Sequence, residues 1–97
     1  MSTRTIPTYE HDPQARIDYP VNWTEWLETD TITASVWASS DPNLILENGT
    51  FTTTSTLIWA KFTSPPEPGT VYLAINHITT AAGREEDQTV KLKVKEH

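Results

Sequence analysis

The chain has 97 residues, 36 % hydrophobic and 21 % charged, enough for one small core and not for a second. It has no cysteine, which excludes disulfides and thiolate metal sites. The net charge of −6 arises in residues 1–48, with eight acids and two bases, whereas residues 49–97 hold five of each. An acidic half with no basic stripe argues against nucleic acid as a partner.

Threonine occurs 17 times and favours strands over helices, because β-branched side chains suit a pleated surface. No apolar run approaches the roughly 18 residues of a membrane span, and Met1-Ser-Thr-Arg-Thr leads into no signal-peptide core. The expectation is synthesis in a cytosol and no membrane partner.

Residues 1–14 carry two prolines and only Ile6 and Tyr9 as large apolar groups, with no period of 2 or 3.6. They read as an extended N-terminal arm, and residues 15–97 as the folded domain. Arg16-Ile-Asp-Tyr19 suits a short first strand. Asn22-Trp-Thr-Glu-Trp-Leu27 reads as one helical turn, with Asn22 as N-cap and Glu25 in a capping-box position. Trp23, Trp26 and Leu27 share a face of that turn and should plug one end of the core.

Asp30 to Ala38 alternates, with Ile32, Ala34, Val36 and Ala38 on one side and Thr31, Thr33, Ser35 and Trp37 on the other. Asn48-Gly49, between Leu44-Ile-Leu46 and Thr50-Phe-Thr-Thr, predicts a type I′ hairpin. Ser55 to Phe62 puts Ile58, Ala60 and Phe62 on one face and Leu57 and Trp59 on the other. The proline-rich loop after Ser64 precedes a strand from Val71 to Thr80, and Gly83 suits the turn that follows. In the last strand, Gln88 to Lys95, Val90, Leu92 and Val94 face in, while Lys91, Lys93 and Lys95 face water and discourage edge pairing.

About seven short strands with regular turn signals predict an all-β fold: an Ig-like or fibronectin-like two-sheet β-sandwich with one short helical turn. Pro68-Gly-Thr-Val-Tyr72 resembles a tyrosine corner, in which the Tyr72 hydroxyl turns back onto the preceding loop. If Tyr72 faces in, so do Ala74, Asn76 and Ile78. Val71, Leu73, Ile75 and His77 then face out, more aliphatic surface than a free monomer usually shows. A buried Asn76 amide needs partners and would specify register.

Signals for catalysis are few. His11, His77 and His97 are scattered, no zinc, phosphate-loop or nucleophile motif is present, and no carboxylate pair suggests an acid–base dyad. Glu10-His11-Asp12 and Glu85-Glu86-Asp87 are acidic clusters without ligand spacing. Neither an enzyme nor a cofactor or metal is expected.

Asp12-Pro, Asp18-Tyr19, Trp23-x-x-Trp26-Leu27, Asp30-Thr31-Ile32, Trp37, Trp59, Gly69-x-x-Tyr72 and Asn76-x-Ile78-Thr79-Thr80-x-x-Gly83-Arg84 follow one another in order. Over roughly residues 11–95 this resembles a family of small tailed-bacteriophage virion proteins described as fibre–tail adaptors or structural proteins. The chain departs from that family at Asn22, Thr29 and Lys61-Phe62. The resemblance implies a non-catalytic virion component, present in symmetric copies and touching other tail, fibre, connector or capsid proteins. On that reading Ile6, Tyr9 and His11 of the arm, and the outer face with Trp59, Leu73, Ile75 and His77, meet partners. Trp23, Trp26, Tyr72, Asn76 and Gly83 are structural. Two other functions fit the same composition. One is a capsid decoration protein; the other is a carbohydrate-binding sandwich that stacks host-surface sugars on Tyr9, Trp23, Trp26 and Trp37.

Overall fold

A computed structural model describes residues 8–64 and 66–95. The elements are β1 (Thr8–His11), β2 (Ile17–Asn22), α1 (Thr24–Leu27), β3 (Ile32–Ser39), β4 (Leu44–Phe51), β5 (Ser55–Phe62), β6 (Val71–Thr80) and β7 (Glu85–Val94). One sheet has the order β1-β7-β6-β3 and the other β2-β5-β4. This is the Ig-like arrangement, a three-stranded sheet facing a sheet extended by the first strand. Every neighbouring pair is antiparallel except β1 with β7.

Period-2 patterning explains the core. Val90, Leu92 and Val94 of β7 and Ala74, Asn76 and Ile78 of β6 are buried, and from the other sheet Tyr19, Val21, Leu44, Ile58 and Ala60 meet them. α1 closes one end with Trp23 and Leu27, both fully buried. Its N-terminus differs from the expected capping box. Trp23 occupies the cap position but its side chain points into the core and does not cap the helix, while Asn22, the last residue of β2, accepts the Thr24 amide at 2.9 Å. Pro20 is tolerated in β2 because that strand is a sheet edge, where a missing N–H breaks no ladder.

Four expectations are corrected. The arm is not free where it is described: Thr8–His11 pairs with Lys91–Val94, so the sandwich begins before residue 15. In β3 the pairing skips a residue between Ile32 and Ala34, a bulge at Thr33 that reverses the alternation. Ile32 is buried, but beyond the bulge Ser35 and Trp37 turn inward and Val36 is 63 % exposed. Asn48-Gly49 makes no hairpin. It is a bulge within β4, where two steps along β5 match three along β4, with Asn48 at φ 53°. The chain reverses at Thr52–Ser55, closed by the Thr52 amide to the Ser55 carbonyl at 2.8 Å. Gly49 is needed for close approach: a Cβ there would lie 3.2 Å from the Trp37 ring and 3.3 Å from Ile58. Finally, the described residues offer the Tyr72 hydroxyl no partner in the preceding loop, and its half-buried ring packs on Phe62 at 4.9 Å.

A buried polar network joins the two sheets. Asn76 is fully buried, and its Oδ1 accepts from Trp23 Nε1 at 3.1 Å and Thr56 Oγ1 at 2.6 Å. Its Nδ2 donates to Ser35 Oγ at 2.8 Å and to the Val36 carbonyl at 3.1 Å. β6 is thereby tied to β3, to β5 across the core and to the residue that opens α1. Such a network favours a single register, because a slip would strand every member.

Candidate docking surface

The outer face of the four-stranded sheet follows from strand register. On β6, Leu73, Ile75 and His77 face out; Lys91, Thr89 and Asp87 of β7 lie opposite them. On the other side of β6, Ala38 lies opposite Ile75 and Val36 opposite His77. Leu73 and Ile75 are half-buried by these neighbours, while Val36 and Val71 stand open. The result is an apolar band across the middle strands with a charged group at each end.

At one end His77 bridges two carboxylates, with Nδ1 2.6 Å from Asp87 Oδ1 and Nε2 2.9 Å from Glu85 Oε1. Hydrogen bonds from Glu85 and then Asp87 raise the His77 pKa above its ordinary value, with their negative charge acting in the same direction. At the other end Lys91 and Lys93 project, with Glu10 of β1 opposite Lys93.

Trp59 lies elsewhere. It is on β5 of the three-stranded sheet, opposite Asp18 and Glu47, so it cannot share one surface with Leu73 and Ile75. The Arg16 guanidinium sits 4.4 Å above its ring and donates to Glu47 at 2.7 Å, which holds the Glu47 carboxyl below its usual range. Sequence alone did not reveal this pair, because Arg16 and Glu47 are 31 residues apart.

Nor are the expected arm contacts all at the surface. His11 is fully buried: Nε2 donates to the Ala15 carbonyl at 2.8 Å, and Nδ1 meets the Tyr19 hydroxyl at 2.5 Å. Burial, then the nearby Tyr9 and Asp18, push the Tyr19 phenol up to about 12, so it stays protonated and donates to His11. Tyr9 packs on Tyr19 at 4.9 Å, and Ile6 lies outside the described residues. The anticipated sugar-stacking platform is not displayed either, since Trp23 is fully buried and Trp37 turns inward.

A second feature missed in the sequence is a buckle at the α1 end. Arg84, just past Gly83 (φ 87°), stacks 4.2 Å from the Trp26 ring. It donates to Asp30 Oδ2 at 3.1 Å and to the Leu27 carbonyl at 3.1 Å. Asp30 also accepts the Thr80 hydroxyl and the Thr31 and Ala82 amides, and these bonds, with that from Arg84, outweigh desolvation and hold its carboxyl down at about 2. Trp23, Trp26, Leu27, Asp30, Gly83 and Arg84, all among the motif residues quoted above, thus gather at one end of the sandwich.

This clustering gives a sequence match a physical meaning, because the matched positions build one structure. The model of the family described as podophage GP4 fiber-tail adaptor protein gp77 matches residues 11–93. The chain belongs to that family. Membership gives this adaptor a structural role at the phage fibre–tail joint, within the virion, among tail and fibre proteins. No curated protein matches the chain.

Proposed function

We propose that this chain is a non-enzymatic joint of the podophage tail, and that the outer face of its four-stranded sheet docks on a neighbouring virion protein. The observation that carries the reading is the band formed by Val36, Ala38, Leu73 and Ile75. These aliphatic groups stay in contact with water in the single chain, on a sheet whose inner face is already filled. A joint needs rigid faces rather than chemistry. Removing this hydrocarbon from water gives each contact a modest affinity, which repetition around a tail multiplies.

The test is incorporation into particles. Ile75→Asp places a charge in the band without touching the core, so the purified domain should keep its melting transition while purified virions lose the protein. Normal incorporation of the variant would overturn the docking role. Loss of folding in isolation would show that Ile75 belongs to the core.

A further inference from the structure

The docking face carries its charges in a self-complementary order. Along β7, the outward residues run Glu85, Asp87, Thr89, Lys91 and Lys93. Two acids stand on one side of Thr89 and two bases on the other, at equal spacing. On β6 the outward residues opposite them run Thr79, His77, Ile75, Leu73 and Val71, so Ile75 sits at the same midpoint as Thr89. Ala38 of β3 continues that central row.

We propose that the partner on this face is a second copy of the same chain, packed sheet to sheet about a two-fold axis that crosses the strands at the Ile75–Thr89 row. The axis lies in the plane between the sheets, perpendicular to the strands. Such an operation lays β7 antiparallel over its counterpart. Lys91 then faces the partner's Asp87, and Lys93 the partner's Glu85. In the middle, Ile75 packs against its symmetry mate and Leu73 covers the partner's His77. An axis along the strands would instead set lysine on lysine and acid on acid, so the charge order selects one of the two orientations. Glu10, beside Lys93, softens the basic end without reversing its sign.

The area suffices. A ten-residue strand is ~34 Å long and neighbouring strands lie ~4.8 Å apart. Allowing for the shorter β1 and β3, the face offers on the order of 600 Å² per partner, about 1,200 Å² in total, the lower end of stable specific interfaces. A pair of adaptors joined in this way leaves the Trp59 face and the Arg84 end of each copy for unlike neighbours. The proposal rests on the docking role of this face and names its occupant.

The experiment uses two charge-reversed full-length variants, Lys91→Glu/Lys93→Glu and Glu85→Lys/Asp87→Lys, in sedimentation velocity at low salt. Wild type should be a dimer that weakens as salt rises. Each variant alone should be monomeric at the same concentration, and an equimolar mixture should recover a dimer, because the four outward acids on β7 of one variant then meet the four lysines on β7 of the other. A wild type that is monomeric at hundreds of micromolar, or variants that self-associate as well as wild type, would overturn the pairing. The particle test separates the two readings. If wild type is monomeric while Ile75→Asp is still excluded from virions, the face docks an unlike protein and only the self-pairing fails. If Ile75→Asp is incorporated normally, the docking role fails as well.

Discussion

Replacing Asn76 by leucine, which has the same branching but more bulk, removes four hydrogen bonds at a fully buried site. The partners do not suffer equally. Trp23 Nε1 keeps Thr56 Oγ1 at 3.2 Å, and Ser35 is near enough to the surface to find water. The Thr56 hydroxyl loses its acceptor, whereas the Val36 carbonyl gives up its amide partner but keeps its place in the β3–β6 ladder opposite His77. The stranded hydroxyl costs about 1–3 kcal/mol, and fitting the bulkier leucine into a filled site costs about 1–3 kcal/mol more. The added apolar surface returns about 1.5–2 kcal/mol. The expected net loss therefore centres on about 2 kcal/mol, a fall of about 8–16 °C in Tm for a domain of this size. Urea unfolding followed by tryptophan fluorescence should show a lower midpoint with an unchanged slope. Asn76→Asp should be worse than Asn76→Leu at neutral pH, because the new carboxylate oxygen would face the Val36 carbonyl. It should recover as acid protonates that oxygen into a donor. If Asn76→Leu matches wild type, or if Asn76→Asp shows no acid recovery, the reasoning about this network is wrong.

Three further outcomes follow from particular groups. Because the folded His77 pKa is raised, its pairing with Glu85 and Asp87 stabilises fully below the unfolded value of 6.5 and is lost as pH climbs through the folded value. NMR titration of the imidazole should give a midpoint above 6.5, and His77→Gln should lose the advantage of mild acid over alkaline pH; a midpoint at or below 6.5 would contradict this. Asp30 is the opposite case. Its contribution is present above about 3.8 and disappears as pH falls towards about 2, so Asp30→Asn should flatten the acid limb of the stability curve in that window. Glu28 sits at φ 59° and ψ −103°, where a side chain is strained, so Glu28→Gly should gain about 1 kcal/mol in chemical denaturation despite the added freedom of the unfolded chain.

The fold was most legible where alternation ran unbroken. Val90, Leu92 and Val94 announce the inner face of β7, and the phase of Tyr72, Ala74, Asn76 and Ile78 places Leu73 and Ile75 outside. It was least legible where one extra residue changes the phase. A bulge at Thr33 leaves no mark in composition, yet it exchanges the faces of Val36 and Trp37. Asn-Gly favours positive φ in a hairpin or a bulge alike, and the choice here depends on the Trp37 ring lying across Gly49. β1 is four residues long and takes its order from a partner more than eighty positions away, so its own sequence carries little signal. The Arg84–Trp26–Asp30 buckle was hidden for the same reason, since its ion pair spans 54 residues.

The parallel union of β1 with β7 sets an order of events in synthesis. β1 leaves the ribosome well before β7 and has no berth until β7 has emerged and paired with β6. Until then His11 and its neighbouring rings lack the wall they complete, and an unfinished chain exposes hydrocarbon that the full-length protein conceals. Closure across more than eighty residues predicts slow maturation of the sandwich and a window in which chaperones can engage it.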